Sequence, residues 1–589
     1  MRPPPPRRRV AAAAAAAWRA RGRLSGSQVN LAIAHSASDI SRVRRAIARF
    51  TCDPSSPPYP LNPRRHGHRR PPWSWAAWLV TLVVLTGCAA GPGPVPSSTP
   101  PSMSSVPIPT TTTGRPLLVV PDVRPPGFVD PPPGQGLNRY AQQPIDWQPC
   151  GKGLTCARVL APLDYADPDG TAITLALAKR SSTGTVNRGA LFVNPGGPGG
   201  SGVDLVRNFS NDGLTDFDLI GWDPRGVGLS TPASCYGGVD LDRYDSIDDS
   251  PDDAAEERAL LTEQRAFGAS CLARSGVLLE HISTTETVRD LDLLREVTGA
   301  DRISYLGFSY GTLIGSLYAQ NYPTRVARMV LDGASDITGG NSVSQVSGFD
   351  RAFRHFARWC GAGSRCGLGA SQSEVQTAVV GFLMGLDGEA LNVGDRRLSQ
   401  QQGVQAVFTA LYGGQRGWPG LAGELRAAIA GNGAPLLAHA DQANYRRVDG
   451  SYSALAYGFP TVRCRDSRQV SVAAAKKQSV AENKMAPILG PLSGPDLLCT
   501  QWPVAPAPQR PKITAARAPT ILVVGTTGDP ATPYEWAQAM AKQLDSAVLL
   551  TLDGEGHTAY DQSACVRRQV QRYLVDGVLP EPGTRCTAP

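Results

Sequence analysis

The chain has 589 residues, of which 41% are hydrophobic and 18% are charged, and it carries a formal net charge of +8. The charge is uneven, because residues 1–87 contain 15 Lys and Arg against 2 Asp and Glu, which leaves residues 88–589 with a net charge of −5. The basic isoelectric point therefore describes the N-terminal segment alone. Composition gives no reason to expect a nucleic-acid partner.

The N-terminal segment has the layout of a secretory signal. Four arginines at 64–70 precede an apolar run at 76–85, and the chain then reads L-T-G-C at 85–88. The run is shorter than the ~20 residues of a membrane-spanning helix, and L-T-G-C resembles a bacterial lipobox, in which Cys88 becomes the lipidated first residue. We therefore expect residues 1–87 to be an N-terminal extension with a signal peptide. The mature protein is expected to be exported and held on the outer face of the cytoplasmic membrane by a lipid anchor, or secreted.

Two other outcomes stay open for this segment, namely an ordinary signal cut nearby and a membrane anchor that is retained. Residues 1–60 lie upstream of where a signal normally begins. We therefore expect the true translation start to lie further downstream.

The remainder of the chain divides into a tether and a folded region. Residues 88–136 consist mainly of Pro, Ser, Thr and Gly after the cysteine, a composition that predicts a disordered tether. Some 450 residues follow, more than the roughly 100–200 residues of a typical domain. This length predicts a core that carries a large insertion.

The sequence of the folded region predicts an α/β architecture, with a mostly parallel sheet and helices on both faces. Its apolar runs are continuous rather than alternating, as in strands that are buried on both sides. We assign the core to 137–333 and 518–589, and a large, mainly helical cap insertion to 334–517. The predicted strands are 173–178, 189–193, 217–222, 303–306, 329–331, 520–524 and 548–552. The clearest amphipathic stretches of the cap are 349–359, 373–386 and 420–429.

Ten cysteines follow Cys88. An even number in an exported chain predicts disulfides, although the connectivity stays open. Pairing between sequence neighbours would close five local loops. A metal site is the alternative, but there is no C-x-x-C pair and no cluster of histidines, so we predict no metal. The proposed pairs are 150–156, 235–271, 360–366, 464–499 and 565–586.

The segment D-R-I-S-Y-L-G-F-S-Y-G-T at 301–312 predicts a nucleophile elbow. It reads as a short strand that breaks at Gly307, exposes Ser309 and restarts as a helix after Gly311. The G-x-S-x-G spacing has a steric cause, because the serine sits in a tight turn with no room for Cβ atoms beside it. The Tyr310 N–H would then face a developing oxyanion. The motif alone also occurs by chance.

A second signal is the run V-N-P-G-G-P-G-G-S-G at 193–202, directly after a predicted strand. This glycine density lets the backbone approach a substrate and turns N–H groups inward. A phosphate-binding loop is the alternative, but no G-x-x-x-x-G-K-[ST] motif follows. We predict an oxyanion-hole loop after the third core strand, with Gly197 as a donor beside Tyr310 and with Gly196 lining the site.

Asp529 and His557 complete the predicted catalytic set. Asp529 follows the strand 520–524, at the edge where open α/β sheets bind ligands, although Asp-Pro is also a common turn. His557 follows the last predicted strand, whereas the other histidines beyond the tether lie in helical or cap stretches. The chain order Ser309, Asp529, His557 is that of α/β hydrolases. Thr532 is a further candidate for lining the site.

Together these motifs resemble the exported tripeptidyl aminopeptidases of actinobacteria, which are α/β-hydrolase serine peptidases related to prolyl aminopeptidases. The resemblance covers about residues 147–586, including a TAP-like C-terminal region. It rests on A-P-L-D-Y at 161–165, N-P-G-G-P-G-G-S at 194–201, W-D-P-R-G-V-G at 222–228, G-F-S-Y-G-T at 307–312, D-P-A-T-P at 529–533 and G-H at 556–557.

The resemblance implies a Ser309–His557–Asp529 triad, an oxyanion hole at Gly197 and Tyr310, and release of short peptides from substrates with a free N-terminus. A lipid or ester hydrolase on the same triad is the alternative. The sequence carries no cofactor signature, and this chemistry requires none. An aminopeptidase must also hold the substrate ammonium with a carboxylate, and the candidates in the cap are Asp441, Asp449, Asp466 and Glu482.

Overall fold

The computed structural model describes residues 127–588, except for 152, 340–342, 364–365 and 469. The predicted signal peptide, Cys88 and most of the predicted tether lie outside the described residues, so what was expected of them stays a prediction. Within the described ranges, no helix combines the length and hydrophobicity that a membrane crossing requires.

In the described part of the chain, ten strands form one sheet and two more form a separate hairpin. The order of strands across the sheet is β1-β2-β3-β5-β4-β6-β7-β10-β11-β12, with the strands bounded as follows. In chain order they are β1 Gln148–Gly151, β2 Leu154–Pro162, β3 Ala172–Arg180, β4 Ala190–Asn194, β5 Asp218–Asp223, β6 Ile303–Phe308, β7 Val326–Asp332, β8 Leu391–Val393, β9 Arg396–Leu398, β10 Ile521–Gly528, β11 Ala547–Glu555 and β12 Arg585–Thr587.

The sheet is parallel from β5 to β12, whereas β1, β2 and β3 extend it in antiparallel pairs. Every residue of β4 and of β6 is buried. Such strands have no solvent side, which explains why the sequence shows continuous apolar runs. The predicted architecture, a mostly parallel sheet with helices on both faces, is therefore present.

The helix bounds, in chain order, are α1 Asn138–Ala141, α2 Gly202–Asn208, α3 Gly238–Tyr244, α4 Ala254–Ser275, α5 Thr284–Val297, α6 Tyr310–Asn321, α7 Gln345–Ala362, α8 Gln372–Gly388, α9 Gln400–Tyr412, α10 Trp418–Ile429, α11 Ala434–Ala443, α12 Leu455–Asp466, α13 Val472–Met485, α14 Tyr534–Gln543 and α15 Ala564–Asp576. Helices α2, α6, α14 and α15 contact the sheet, and α5 packs against α6.

The chain between β7 and β10 builds a helical layer from α7 to α13, together with the hairpin β8–β9. Its apolar side chains form a cluster that includes Phe353, Phe356, Val407 and Trp418. This cluster is separate from the two clusters on the sheet. The layer, called the cap below, therefore has a hydrophobic core of its own.

The W-D-P-R-G-V-G motif forms a buried turn after β5. The Arg225 guanidinium donates to both carboxylate oxygens of Asp290, at 2.6 and 2.7 Å, and the Tyr165 hydroxyl donates to the same carboxylate at 2.8 Å. Arg225 and Asp290 are both fully buried, and a buried charge is tolerated only when it is paired. The motif thus stabilises the fold by tying this turn to α5.

All five predicted disulfides are present. Two of them lie in the cap region, Cys360–Cys366 and Cys464–Cys499. Each joins segments that are close in sequence, so each restricts the unfolded chain mainly locally.

One position predicted from the sequence needs correction. The glycine-rich loop follows β4, which is the fourth strand in chain order and not the third. The strands β1 and β2 were not among the predicted strands. Every residue of β1 is at least partly exposed, and β2 mixes buried and partly exposed residues without a clear period. Neither strand therefore gives a recognisable apolar pattern.

Candidate active site

Ser309 lies between the last residue of β6 and the first residue of α6. Its φ of 54° and ψ of −125° place it in a backbone region that non-glycine residues rarely adopt, as a nucleophile elbow requires. Both flanking glycines are needed for space. A Cβ on Gly307 would lie 2.5 Å from Gly311 O, and a Cβ on Gly311 would lie 2.8 Å from Asn194 O. The helix begins at Tyr310, slightly earlier than predicted.

The glycine-rich loop packs directly on the elbow. A Cβ on Gly196 would lie 2.8 Å from Tyr310 N and 3.0 Å from Ser309 Cβ, so only glycine permits this approach. Within the described residues, the backbone N–H groups of Gly197 and Tyr310 find no acceptor. The Tyr310 N–H also lies at the positive end of α6. This corner of the molecule is therefore suited to stabilise a negative oxygen.

Asp529 and His557 are brought together from the ends of β10 and β11. Nδ1 of His557 lies 2.9 and 3.0 Å from the two carboxylate oxygens of Asp529, which is buried. Because a carboxylate only accepts hydrogen bonds, this contact assigns a proton to Nδ1. Nε2 is buried and has no hydrogen-bond partner among the described residues. The free nitrogen is thus the one that could accept a proton from a nucleophile.

Thr532 lies beside this pair. Its hydroxyl donates to Asp529 Oδ2 at 2.9 Å and is 3.3 Å from His557 Nδ1. The N–H groups of Ala531 and Thr532 donate to the other oxygen of Asp529 at 2.9 and 2.8 Å. The carboxylate is therefore held in place from both sides.

The end of β7 joins the elbow to His557. The Ser309 N–H donates to Asp332 O at 2.9 Å, and a Cβ on Gly333 would lie 3.3 Å from His557 Cε1. Ser309 thus contacts Asp332, and His557 lies beside the next residue of the chain, Gly333. No hydrogen bond joins the Ser309 hydroxyl to His557 Nε2, both of which the structure describes. In hydrolases such bonds commonly tighten only when substrate binds.

The charge around His557 favours its protonated form. Burial alone lowers the pKa of the imidazole, but the charge and hydrogen bond of Asp529, together with the charge of Asp332, raise the pKa above its ordinary value of 6.5. The cap contributes Tyr412, whose ring contacts the imidazole edge-on with a centroid separation of 5.0 Å. The backbone carbonyl of Tyr412 also accepts a hydrogen bond from the backbone N–H of His557 at 2.9 Å.

Sequence reasoning missed Asp332. This fully buried residue ends β7, and its carboxylate accepts the N–H groups of Ala559 at 3.0 Å and Tyr560 at 2.8 Å. Burial raises the pKa of Asp332 to about 7, although the two N–H groups and the charge of His557 act in the opposite direction. The available signal was an acid at the end of a core strand, the same position as Asp529.

One candidate carboxylate of the cap contacts the elbow. Asp466 accepts hydrogen bonds from the Tyr310 hydroxyl at 2.7 Å, the Thr284 N–H at 3.0 Å and the Arg510 guanidinium at 2.9 Å. It also lines a cavity of about 540 Å³ beside α6. Its charge is already matched by an arginine, so Asp466 holds the Tyr310 side chain rather than offering a free carboxylate.

The three other cap candidates for ammonium binding have different partners. These partners are Arg396 for Asp441, Ser451 for Asp449 and Gln478 for Glu482. The three other histidines that follow the predicted tether each contact a glutamate, in the pairs His281–Glu286, His355–Glu555 and His439–Glu424.

Two clusters of three acidic residues in the described part of the chain bring carboxylate oxygens close enough together to hold a cation. Neither cluster includes a residue of the candidate site. Their members are partly or fully exposed, and such groups are common without an ion. The groups are Asp248, Glu256 and Asp387, and Asp252, Asp253 and Glu256.

Comparison with known proteins shows which proteins the chain is similar to. Residues 189–374 match a family model described as alpha/beta hydrolase fold, and residues 487–586 match one described as TAP-like protein. A tripeptidyl aminopeptidase of Streptomyces lividans is 28% identical over 472 residues, covering 74% of this chain and 86% of that protein. The serine protease Hip1 of Mycobacterium tuberculosis is 33% identical over 482 residues, covering 75% and 91%.

The chain belongs to the tripeptidyl aminopeptidase-like family of α/β hydrolases. The family also includes a protein named carboxylesterase B from Mycobacterium tuberculosis, which is 39% identical over 457 residues and is covered over 86% of its length, against 73% of this chain. The resemblance, the fold class and the serine hydrolase character predicted from the sequence are thus confirmed. The names of the relatives include both a peptidase and an esterase.

Proposed function

We propose that the protein is an exported aminopeptidase that releases short peptides, in particular tripeptides, from free N-termini through an acyl-enzyme. The observation that carries the chemistry is the buried Asp529–His557 pair, which leaves Nε2 available as a proton acceptor, together with the strained Ser309 of the elbow. Neutral imidazole, hydroxyl and carboxylate are the groups of a serine-hydrolase triad.

In this mechanism Ser309 Oγ attacks the substrate carbonyl while His557 Nε2 takes the hydroxyl proton. The C–N bond of the tetrahedral intermediate then breaks, and the same proton goes to the leaving amine. Water repeats the cycle on the acyl-enzyme and releases the peptide acid. Asp529 keeps the proton on Nδ1 and stabilises the imidazolium.

The oxyanion of each tetrahedral intermediate would lie against the N–H groups of Gly197 and Tyr310. Removing one donor of this kind costs on the order of 3 kcal/mol of transition-state stabilisation. Both donors are backbone groups, so side-chain substitution does not remove them directly. The tight contact of Gly196 with Tyr310 N and Ser309 Cβ holds the two donors together.

The peptidase assignment draws on the relatives named tripeptidyl aminopeptidase and serine protease. Its test uses a soluble form that begins after Cys88 and three substrates: a chromogenic tripeptide with a free N-terminus, its N-acetylated form and a medium-chain nitrophenyl ester. Ser309→Ala is the blank. We expect cleavage of the free-amine peptide and not of the acetylated one. Equal cleavage of both peptides would contradict exopeptidase activity.

An ester or lipid hydrolase is the second candidate, favoured by the relative named carboxylesterase B. It would use the same triad, and the cap would bury an acyl chain instead of a peptide. Turnover of the ester while both peptides survive would select this function.

For localisation, we propose export with lipidation of Cys88, which would tether the enzyme to the outer face of the cytoplasmic membrane. Support comes from the L-T-G-C motif after an apolar run. Growth of the source cells with a labelled fatty acid should label the wild-type protein and not Cys88→Ala. Equal labelling of both would exclude this anchor.

A further inference from the structure

Asp332 lies behind the candidate triad without being a member of it. We propose that it is a positioning residue, which holds the loop that carries His557 and stabilises the protonated imidazole with its own charge. The inference rests on the proposed roles of Ser309 and His557, and it adds a second carboxylate to the chemistry.

Asp332 forms hydrogen bonds both to the elbow that carries Ser309 and to the loop that follows His557. Its backbone carbonyl accepts the Ser309 N–H at 2.9 Å, at the strained residue of the elbow. Its side chain accepts the N–H groups of Ala559 and Tyr560, two and three residues beyond His557. One residue therefore fixes the backbone on both sides of the proton transfer.

The loop after β11 needs such support. Thr558 has a φ of 64°, which is unfavourable for a β-branched residue, so the turn directly after His557 is strained. Its N–H donates to Asp529 Oδ2 at 3.1 Å. The two carboxylates thus bind three consecutive N–H groups, those of Thr558, Ala559 and Tyr560, and hold the strained turn closed.

The charge of Asp332 is not needed merely to close a turn. A fully buried carboxylate loses its hydration, and neutral acceptors could serve the same N–H groups at a lower cost. No lysine or arginine in the described part of the chain forms an ion pair with Asp332. The negative charge of Asp332 instead raises the pKa of His557. The charge is therefore of most use when the imidazole becomes protonated during catalysis.

Among the residues that the structure describes, three titratable groups face His557: Asp529 and Asp332 from the core, and Tyr412 from the cap. Burial raises the pKa of Tyr412, so this phenol stays neutral at physiological pH. The titratable groups around Asp332 are His557, Asp529 and the phenol of Tyr560, whose pKa burial raises to about 12. Asp332→Asn should then remove the charge that Asp332 carries when ionised, which is one of the two negative charges that raise the pKa of the imidazole.

The test follows the rate at which a fluorophosphonate reagent labels Ser309 between pH 5 and 9, which requires no knowledge of the natural substrate. For Asp332→Asn we expect the maximal labelling rate to fall about tenfold. We expect the midpoint of the acid limb to move to lower pH by at least about half a unit, as loss of a nearby negative charge lowers the pKa of a histidine. An unchanged midpoint in a folded variant would overturn the proposal.

Asp350→Asn is the control for a buried carboxylate that binds backbone N–H groups away from His557, although Asp350 differs from Asp332 in also forming an ion pair with Arg354. Asp350 is also fully buried, and one of its carboxylate oxygens accepts two consecutive backbone N–H groups, those of Ile488 at 2.7 Å and Leu489 at 2.9 Å, but it lies in the cap. Its substitution should lower the melting temperature and leave the acid limb in place. A shift of equal size in both variants would show that the effect is a general response to lost stability, and the proposal would fail.

Two results separate this inference from the proposed function. If the wild-type protein is not labelled at Ser309 at any pH, the proposed function itself fails. If it is labelled and Asp332→Asn does not fold, hydrogen exchange of the wild-type protein decides. Protection of the Ala559 and Tyr560 amides supports the positioning role, and free exchange of both overturns it.

Discussion

The carboxyl edge of the core sheet and the cap contribute to the candidate site in different ways. The core supplies Ser309, Asp529 and His557 from the ends of three strands, and backbone hydrogen bonds and glycine contacts fix all three. The cap reaches the site through Tyr412 and Asp466, one against the imidazole and one against the Tyr310 hydroxyl. The reacting groups therefore come from the core, while the cap contacts the residues that surround them. Relatives named as a peptidase and as an esterase fit this division.

Loss of the nucleophile, which the core supplies, should have the largest effect on activity. Ser309→Ala is expected to reduce kcat by at least about 10⁴-fold on any substrate, because no other group then attacks the carbonyl. The measurement is turnover of the free-amine tripeptide and of the nitrophenyl ester. Retention of full activity on either substrate would remove Ser309 from the mechanism.

Crowding the contact between loop and elbow should have the next largest effect. Gly196→Ala places a Cβ 2.5 Å from Phe308 O and 2.8 Å from Tyr310 N, at a φ of 90°. We expect kcat to fall by roughly 10²–10³-fold through displaced oxyanion donors. Gly381→Ala is the control, because a Cβ there meets nothing within 4 Å in a helix of the cap. Comparable losses in both variants would contradict a specific role of the loop.

The pH dependence should follow the core and not the cap. His557 acts as a base only when neutral, and its pKa lies above 6.5 because the Asp529 and Asp332 charges outweigh burial. We therefore expect kcat/KM to fall about tenfold for each pH unit below a midpoint that lies above 6.5. A midpoint below 6.5 would show that burial dominates at this histidine.

The smallest effect is expected at the contact of the cap with Tyr310. Asp466→Asn removes the charge opposite Arg510 and weakens the hold on the Tyr310 side chain. We expect kcat to fall by about three- to tenfold, equally for the ester and the peptide, because a hydrogen bond to a charged group contributes about 1.5–3 kcal/mol and is only partly lost. A rise in KM confined to the free-amine peptide would instead show that Asp466 binds the substrate ammonium.

The same division explains what the sequence could predict. The elbow and the glycine-rich loop were found because a steric cause acts over a few residues, and Asp529 and His557 were found because they follow strands in a fixed order. Asp332 was missed because its partners, Ala559 and Tyr560, lie far along the chain. The choice among the cap carboxylates stayed open for a similar reason. Only packing of the helical layer brings Asp466 to Tyr310 and leaves Asp449 in an exposed turn.

The most direct test of the account is the site of covalent labelling. The soluble protein would be treated with a fluorophosphonate, digested and mapped by mass spectrometry, in parallel with His557→Ala. We predict a single adduct on Ser309 in the wild-type protein and a labelling rate reduced by at least about 10³-fold in the variant, since the hydroxyl then lacks its base. An adduct on another residue, or undiminished labelling in His557→Ala, would contradict the proposed triad.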